Sequence, residues 1–305
     1  MKKIYILEQF DFSNEQLEKL KSLGDVKLFK KASQKEITEA VANADVVMLD
    51  WLDPTNIITK MKKGSFVCLP FTGYGWITTL KQALDNGVVI SNTPHYSTNA
   101  VAEHHLGLIL DVAKHITLFN NELKQGSVPF IQNTELGGKT IGIIGLGHIG
   151  KRLAELLKPF NANLITYSRS MKTAEGVKNV DLITLLKESD IICVTCDLNP
   201  VTSNMLSTKE LAMMKDNAIL TTTTYGIINL NALEEYLNKG KFFGIGLEEF
   251  MDMKDVPMSL LENPKVVCTY HRAYGTKEAE ENRLDIAIAN IEAYINGKPI
   301  NEIKL

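Results

Sequence analysis

The sequence predicts an α/β protein built from two doubly wound parallel-sheet domains. Three features predict it. Short apolar runs rich in β-branched residues alternate with amphipathic helical stretches, the alternation runs twice with a long helical stretch between, and 305 residues suffice for two cores of ordinary size. Strand–helix–strand units of this kind cross over right-handed and return each strand in the same direction, which makes the sheets parallel.

The first strand is "KKIYIL". Ser13 and Gln16 then form a capping box, Leu17, Leu20 and Leu23 hold helical spacing, and Gly24 ends the helix. "VVML", "FVCL" and "VVI" read as short buried strands. One long helix is expected from about Asn99 to Lys124, with Val101, Leu106, Ile109, Leu110 and Ala113 as its apolar face and Gly126 at its end. The second alternation starts at "GKTIGIIGLGHIG": a strand to Ile144, a helix to Phe160, strand "NLITY", helix "DLITLLKES" and strand "DIICVT". A Ser207/Glu210 capping box opens the next helix. "NAILTTTT" is a strand, "LNALEEYLNKG" a helix, and "FFGIGL" and "KVVCT" are strands. The last helix keeps Leu284, Ile288, Ile291 and Ile295 on one face and is placed to return to the first domain.

Bulk properties narrow the function. A net charge of -3 and 23% charged residues with no basic cluster argue against a nucleic-acid partner and favour a small molecule. No apolar run approaches the roughly 18 residues that span a bilayer, so no membrane association and a cytoplasmic location are expected. Cys68, Cys193, Cys196 and Cys268 lie in β-like runs and read as buried thiols, and the six histidines form no ligand cluster, so no metal is expected.

Gly145, Gly147 and Gly150 fit G-x-G-x-x-G with a strand before and a helix after, which makes a Rossmann-like phosphate loop. His148 and Ile149 complete that loop as cofactor-binding candidates. An NAD-binding second strand ordinarily ends in an acid that bonds the adenosine ribose; here it ends "TYSRS". Ser168 removes the negative charge, and Arg169 with Ser170 suits a 2′-phosphate, so NADP(H) is favoured over NAD(H). The alternative is a solvated Arg169 and NAD without its acidic partner. In "TTTTYG", four threonines stiffen a strand that breaks at Tyr225-Gly226.

These motifs together resemble the D-isomer-specific 2-hydroxyacid dehydrogenases, which reduce 2-oxo acids with a nicotinamide cofactor. "FTGYG", "NTPHYSTNAVAEHHLGLIL", "LGGKTIGIIGLGHIG", "ELAMMKDNAILTTTTYGIINLNAL" and "NPKVVCTYH" carry the resemblance in the family's order. It implies a discontinuous substrate domain, residues 1–98 plus 280–305, a dinucleotide-binding domain, residues 99–279, and a homodimer formed through the cofactor domains. By the same resemblance, His271 in "TYH" is the acid–base histidine, and Tyr225 falls where the family holds its substrate-gripping arginine. The two are expected to meet from neighbouring strand tips. Asp252 is the candidate acid that orients His271, with Asp255 next. Thr72, Gly73 and Tyr74 match the substrate loop, Trp51 and Asp50 are candidates to line the pocket, and Thr195 and Thr223 join the cofactor-binding set. Asp50 as an acid in the pocket would suit an uncharged or amine-bearing substrate; the alternative is a surface position for both Asp50 and Trp51. The functional expectation is an NADP(H)-dependent oxidoreductase moving a hydride to or from an atypical small substrate. The alternatives are a catalytically decayed dinucleotide-binding sensor or scaffold, and a conventional 2-oxo acid reductase.

Overall fold

The computed structural model describes residues 1–250 and 257–305. The chain divides into two compact units, one of Met1–Ser97 with Thr276–Leu305 and one of Thr98–Gly275.

The first unit holds strands β1 (Lys3–Ile6), β2 (Asp25–Leu28), β3 (Val46–Met48), β4 (Phe66–Leu69) and β5 (Val89–Asn92). They pair in parallel in the order β2-β1-β3-β4-β5. Its helices are α1 (Asn14–Leu23), α2 (Gln34–Asn43), α3 (Thr55–Ile58) and α4 (Leu80–Asp85). Ser13 caps α1 through the reciprocal box with Gln16, and Ser33 does the same for α2 with Glu36, each cap worth about 1 kcal/mol. The all-apolar strands β3 and β4 are buried on both faces. One of those faces is covered by the C-terminal helix, whose Leu284, Ala287, Ile288 and Ile291 pack on Ile4, Ile6, Val46, Met48 and Phe66.

The second unit begins with α5 (Thr98–Lys114) and α6 (Ile116–Lys124). The single helix expected here is broken at His115, whose left-handed backbone (φ 53) an α-helix does not accommodate. Strands β6 (Thr140–Ile144), β7 (Asn163–Tyr167), β8 (Val177–Asn179), β9 (Ile191–Val194), β10 (Ala218–Thr222), β11 (Phe242–Phe250) and β12 (Val266–Tyr270) follow. Between them lie α7 (His148–Leu157), α8 (Leu182–Glu188), α9 (Thr208–Met213), α10 (Leu230–Asn238) and α11 (Met258–Glu262), and α12 (Lys277–Ile295) is the C-terminal helix of the first unit. The seven strands pair in parallel in the order β12-β11-β10-β9-β6-β7-β8. The chain leaves β6 on one side for β7 and β8, then crosses to β9 on the other. This reversal opens a crevice at the carboxyl ends of β6 and β9, the usual seat of a ligand in such sheets. Both expected sheets are present, parallel and doubly wound.

Among the described residues no helix is long and apolar enough to cross a membrane. Within the same limits no cluster of three His, Cys, Asp or Glu is placed to hold a metal ion.

Candidate active site

The glycine loop sits at the β6/β9 crevice. Gly145 has φ +101 and its added Cβ would stand 2.7 Å from the Cys196 backbone. An added Cβ on Gly150 would stand 2.1 Å from the Gly145 carbonyl oxygen. At Gly147, the N-cap of α7, an added Cβ meets nothing within 4 Å. Two glycines therefore hold the turn tight, and the third leaves the helix N-terminus open to an approaching anion, the arrangement a pyrophosphate needs. Thr195, buried at the end of β9, donates its hydroxyl to the Gly145 carbonyl at 2.6 Å and pins the loop. His148, exposed, and Ile149, half-buried, form the first turn of α7.

At the end of β7, the half-buried Ser168 accepts the Lys172 backbone N–H at 3.0 Å, while Arg169 and Ser170 stand exposed. No described residue forms an ion pair with Arg169.

The four threonines divide their work. Thr221 and Thr222 end β10, and Thr223 and Thr224 bend away from it. Thr221 and Thr223 face α5 and bond His105, whereas the Thr222 hydroxyl donates to the Thr224 carbonyl and accepts its N–H. Tyr225 follows in a turn closed by Gly226 at φ 73, and its side chain is 36% exposed. Its ring meets that of His271 edge-on, centroids 6.5 Å apart and planes at 89°. The two residues follow β10 and β12, which are not neighbours: β11 runs between them. The half-buried His271 also lies 5.6 Å from the Tyr274 ring, and its buried Nδ1 has no partner among the described residues. Burial, followed by the charge of Arg272, holds its pKa below the ordinary histidine value. The candidate orienting acids Asp252 and Asp255 lie outside the described residues. Arg272 sends Nη1 to the Tyr274 hydroxyl at 3.1 Å and lies 5.7 Å over the Tyr270 ring.

The sequence reading missed Glu248. Its carboxylate is 2% exposed near the end of β11 and accepts the backbone N–H groups of Arg272 and Ala273, the latter at 2.5 Å. It holds the segment that carries His271. Burial raises its pKa, and the two N–H donors oppose that rise.

In the first unit, Thr72 donates to the Thr93 carbonyl at 3.1 Å, and the Gly73 carbonyl accepts the Trp76 indole N–H at 3.0 Å. Tyr74 packs on the core of this unit and Trp51 is exposed. Asp50 is not a free acid: Arg283 of α12 bonds it at 2.6 Å, and the two side chains are only 10% and 11% exposed. Their separation of 233 residues hid this pairing from any local pattern. The loop they support is further held by Glu8, whose carboxylate accepts the N–H groups of Asp50 at 2.5 Å and of Trp51 and Leu52 at 3.1 Å.

The chain is similar to known proteins in sequence and in fold. Residues 106–273 match the D-isomer specific 2-hydroxyacid dehydrogenase, NAD binding domain. A glyoxylate reductase of Thermococcus litoralis is 36% identical over 72% of this chain and 70% of its own. A hydroxypyruvate reductase of Blautia hydrogenotrophica is 28% identical over 93% of each chain. Among solved structures, an acyclic imino acid reductase (Bsp5) in complex with NADPH and D-Arg superposes with a TM-score of 0.88 and 29% identity, covering 99% of this chain and 100% of that one. The chain therefore belongs to the D-isomer specific 2-hydroxyacid dehydrogenase family, and it is an oxidoreductase of that NAD(P)-dependent type.

Proposed function

We propose that this protein is an NADP(H)-dependent oxidoreductase acting on a carbonyl or hydroxyl of a small substrate atypical for its family. His271 serves as acid–base and Tyr225 stands in the place of the arginine that grips a substrate carboxylate. The observation that carries the reading is the edge-on pair of Tyr225 and His271 at 6.5 Å. A bound reduced nicotinamide supplies the hydride. His271 gives the proton to the carbonyl oxygen, or takes it in the reverse direction. The Tyr225 phenol donates a hydrogen bond to the same oxygen but offers no cation for a carboxylate. Asp252 remains the proposed orienting acid for His271 Nδ1, with Glu248 steadying the same loop from beneath.

In this reading the dinucleotide lies on Gly145, Gly147, His148, Ile149 and Gly150, with Thr195 and Thr223 beside it and the 2′-phosphate at Ser168, Arg169 and Ser170. Trp51, Thr72, Gly73 and Tyr74 of the first unit serve the substrate. NADP(H) preference is supported by an exposed Arg169 with no acid among the described residues paired to it. A homodimer through the second unit is supported by the apolar side chains around α6: Leu123, Val128 and Phe130 are all more than two-thirds exposed. A second reading, reduction of a C=N bond, is favoured by the full-length similarity to the imino acid reductase.

The test is a titration with NADPH and NADH, followed by turnover on 2-oxo acids, neutral carbonyls, and 2-oxo acids supplied with amine. NADPH turnover that is lost in His271→Ala with cofactor affinity kept is expected. Full activity in that variant removes His271 from the mechanism. Binding without turnover across the panel leaves a dinucleotide-binding protein instead, and tenfold tighter NADH binding overturns the cofactor assignment.

A further inference from the structure

Two consecutive histidines on α5 have no part in the chemistry above, yet they reach the strands that present it. The strand register places Gly246 of β11 between Thr221 of β10 and Val267 of β12 and sets Glu248 beside Thr269, and the alternation of side chains keeps Thr223 and Gly244 on that same face toward α5. The two glycines make that face bare. A Cβ added to Gly244 would lie 2.7 Å from Val112, and one added to Gly246 would lie 3.1 Å from Leu108, so α5 rests directly on the β11 backbone. This seat brings the preceding helical turn down to the flanking strands. His105 places Nε2 at 2.7 Å from the Thr221 hydroxyl and Nδ1 at 3.2 Å from that of Thr223. His104 places Nε2 at 3.0 Å from the Thr269 hydroxyl. Thr223 stands two residues before Tyr225, and Thr269 two before His271.

We propose that His104 and His105 are positioning residues: through Thr269 and Thr223 they fix the two strand tips, so that one turn of α5 sets the separation of His271 and Tyr225. The inference rests on the acid–base reading of that pair.

Hydrogen-bond direction makes the brace specific. Thr221 donates to the Ile192 carbonyl, so it accepts from His105 Nε2–H, and the bare Nδ1 accepts the Thr223 hydroxyl. That tautomer is assigned from the network. The Thr223 proton then points at α5, and toward a bound ligand this hydroxyl acts only as an acceptor. Burial keeps both rings below the ordinary histidine pKa, His105 at about 3, so the brace keeps its direction at neutral pH. The effect on turnover is large because a misplacement of about 1 Å in a reacting group costs roughly 100-fold.

Thr269→Val and Thr223→Val remove the hydroxyls at constant shape, and Thr→Ser at each position restores them. Three quantities are read in each variant: kcat, the NADPH dissociation constant, and the titration of the His271 ring by NMR of 15N-histidine-labelled protein. The expected result for Thr269→Val is a 10- to 100-fold loss of kcat, NADPH affinity within threefold, and a displaced His271 midpoint, with all three near wild type in Thr269→Ser. Unchanged kcat and unchanged His271 signals in Thr269→Val overturn the proposal. Thr269 is half-buried on an edge strand, so this pair decides the matter alone if Thr223→Val does not fold. If the wild type turns over nothing, the functional reading fails separately and the His271 signals decide: displaced in valine and restored in serine sustains the brace, unmoved refutes it.

Discussion

His105 should make the protein lose stability in mild acid. Its ring is wholly buried between α5 and β10, and that burial, reinforced by His104, holds its pKa at about 3. An exposed histidine in the unfolded chain titrates near 6.5. Between these values the unfolded chain binds a proton that the folded ring refuses, so stability rises with pH through the window and is complete only above it. At pH 5 the unfolded ring is about 1.5 pH units below its midpoint, and at roughly 1.4 kcal/mol per unit the penalty is about 2 kcal/mol. The comparison is wild type against His105→Gln, whose amide both donates and accepts but does not titrate. Urea unfolding at pH 7 and pH 5 gives the two losses. His104, His115 and His271 shift in the same direction and are common to both proteins, so they cancel. Wild type should lose about 2 kcal/mol more than the variant between the two pH values. Equal losses would refute the buried neutral ring and with it the direction of its hydrogen bonds.

Gly150→Ala drives a Cβ to within 2.1 Å of the Gly145 carbonyl oxygen, so urea unfolding should show a loss on the order of 1–3 kcal/mol and NADPH fluorescence titration at least a tenfold weaker affinity. Arg283→Leu leaves the Asp50 carboxylate buried without its cation and should cost about 3–5 kcal/mol, while the double variant with Asp50→Leu recovers most of it; no recovery would show that the two charges are not coupled. Arg272→Leu removes a charge that lowers the His271 pKa. Carbonyl reduction needs the imidazolium and declines as pH rises through that pKa, so the decline in the variant's kcat/KM profile should move to higher pH.

What the sequence made legible was local. The capping boxes at Ser13 and Ser207, the glycine loop between β6 and α7, and the apolar strands β3, β4 and β9 each announce themselves within a few residues, because caps, turns and buried strands obey short-range rules. β2 escaped because it is an edge strand with little burial and hence no apolar pattern, and β8 is only three residues long. The helix break at His115 carries no glycine or proline to mark it. In the candidate site, His271 and Tyr225 were reached through motif order, whereas Glu248 and the His105–Thr221 contact were not. Those depend on which distant backbone lies above a side chain, and no spacing rule encodes that. Asp50 shows the same limit from the other side: an acid read as available is matched by an arginine far along the chain.

Both sheets reverse their strand order, the first between β1 and β3 and the second between β6 and β9, yet the chain treats the two reversals in opposite ways. In the first, Glu8 turns its own carboxylate onto the amides of Asp50, Trp51 and Leu52, so an anion from solution would have to evict a tethered rival. In the second, glycines strip the turn of side chains. Duplicated architecture thus diverges in chemistry: one reversal is capped from within by a carboxylate, and the other presents bare backbone.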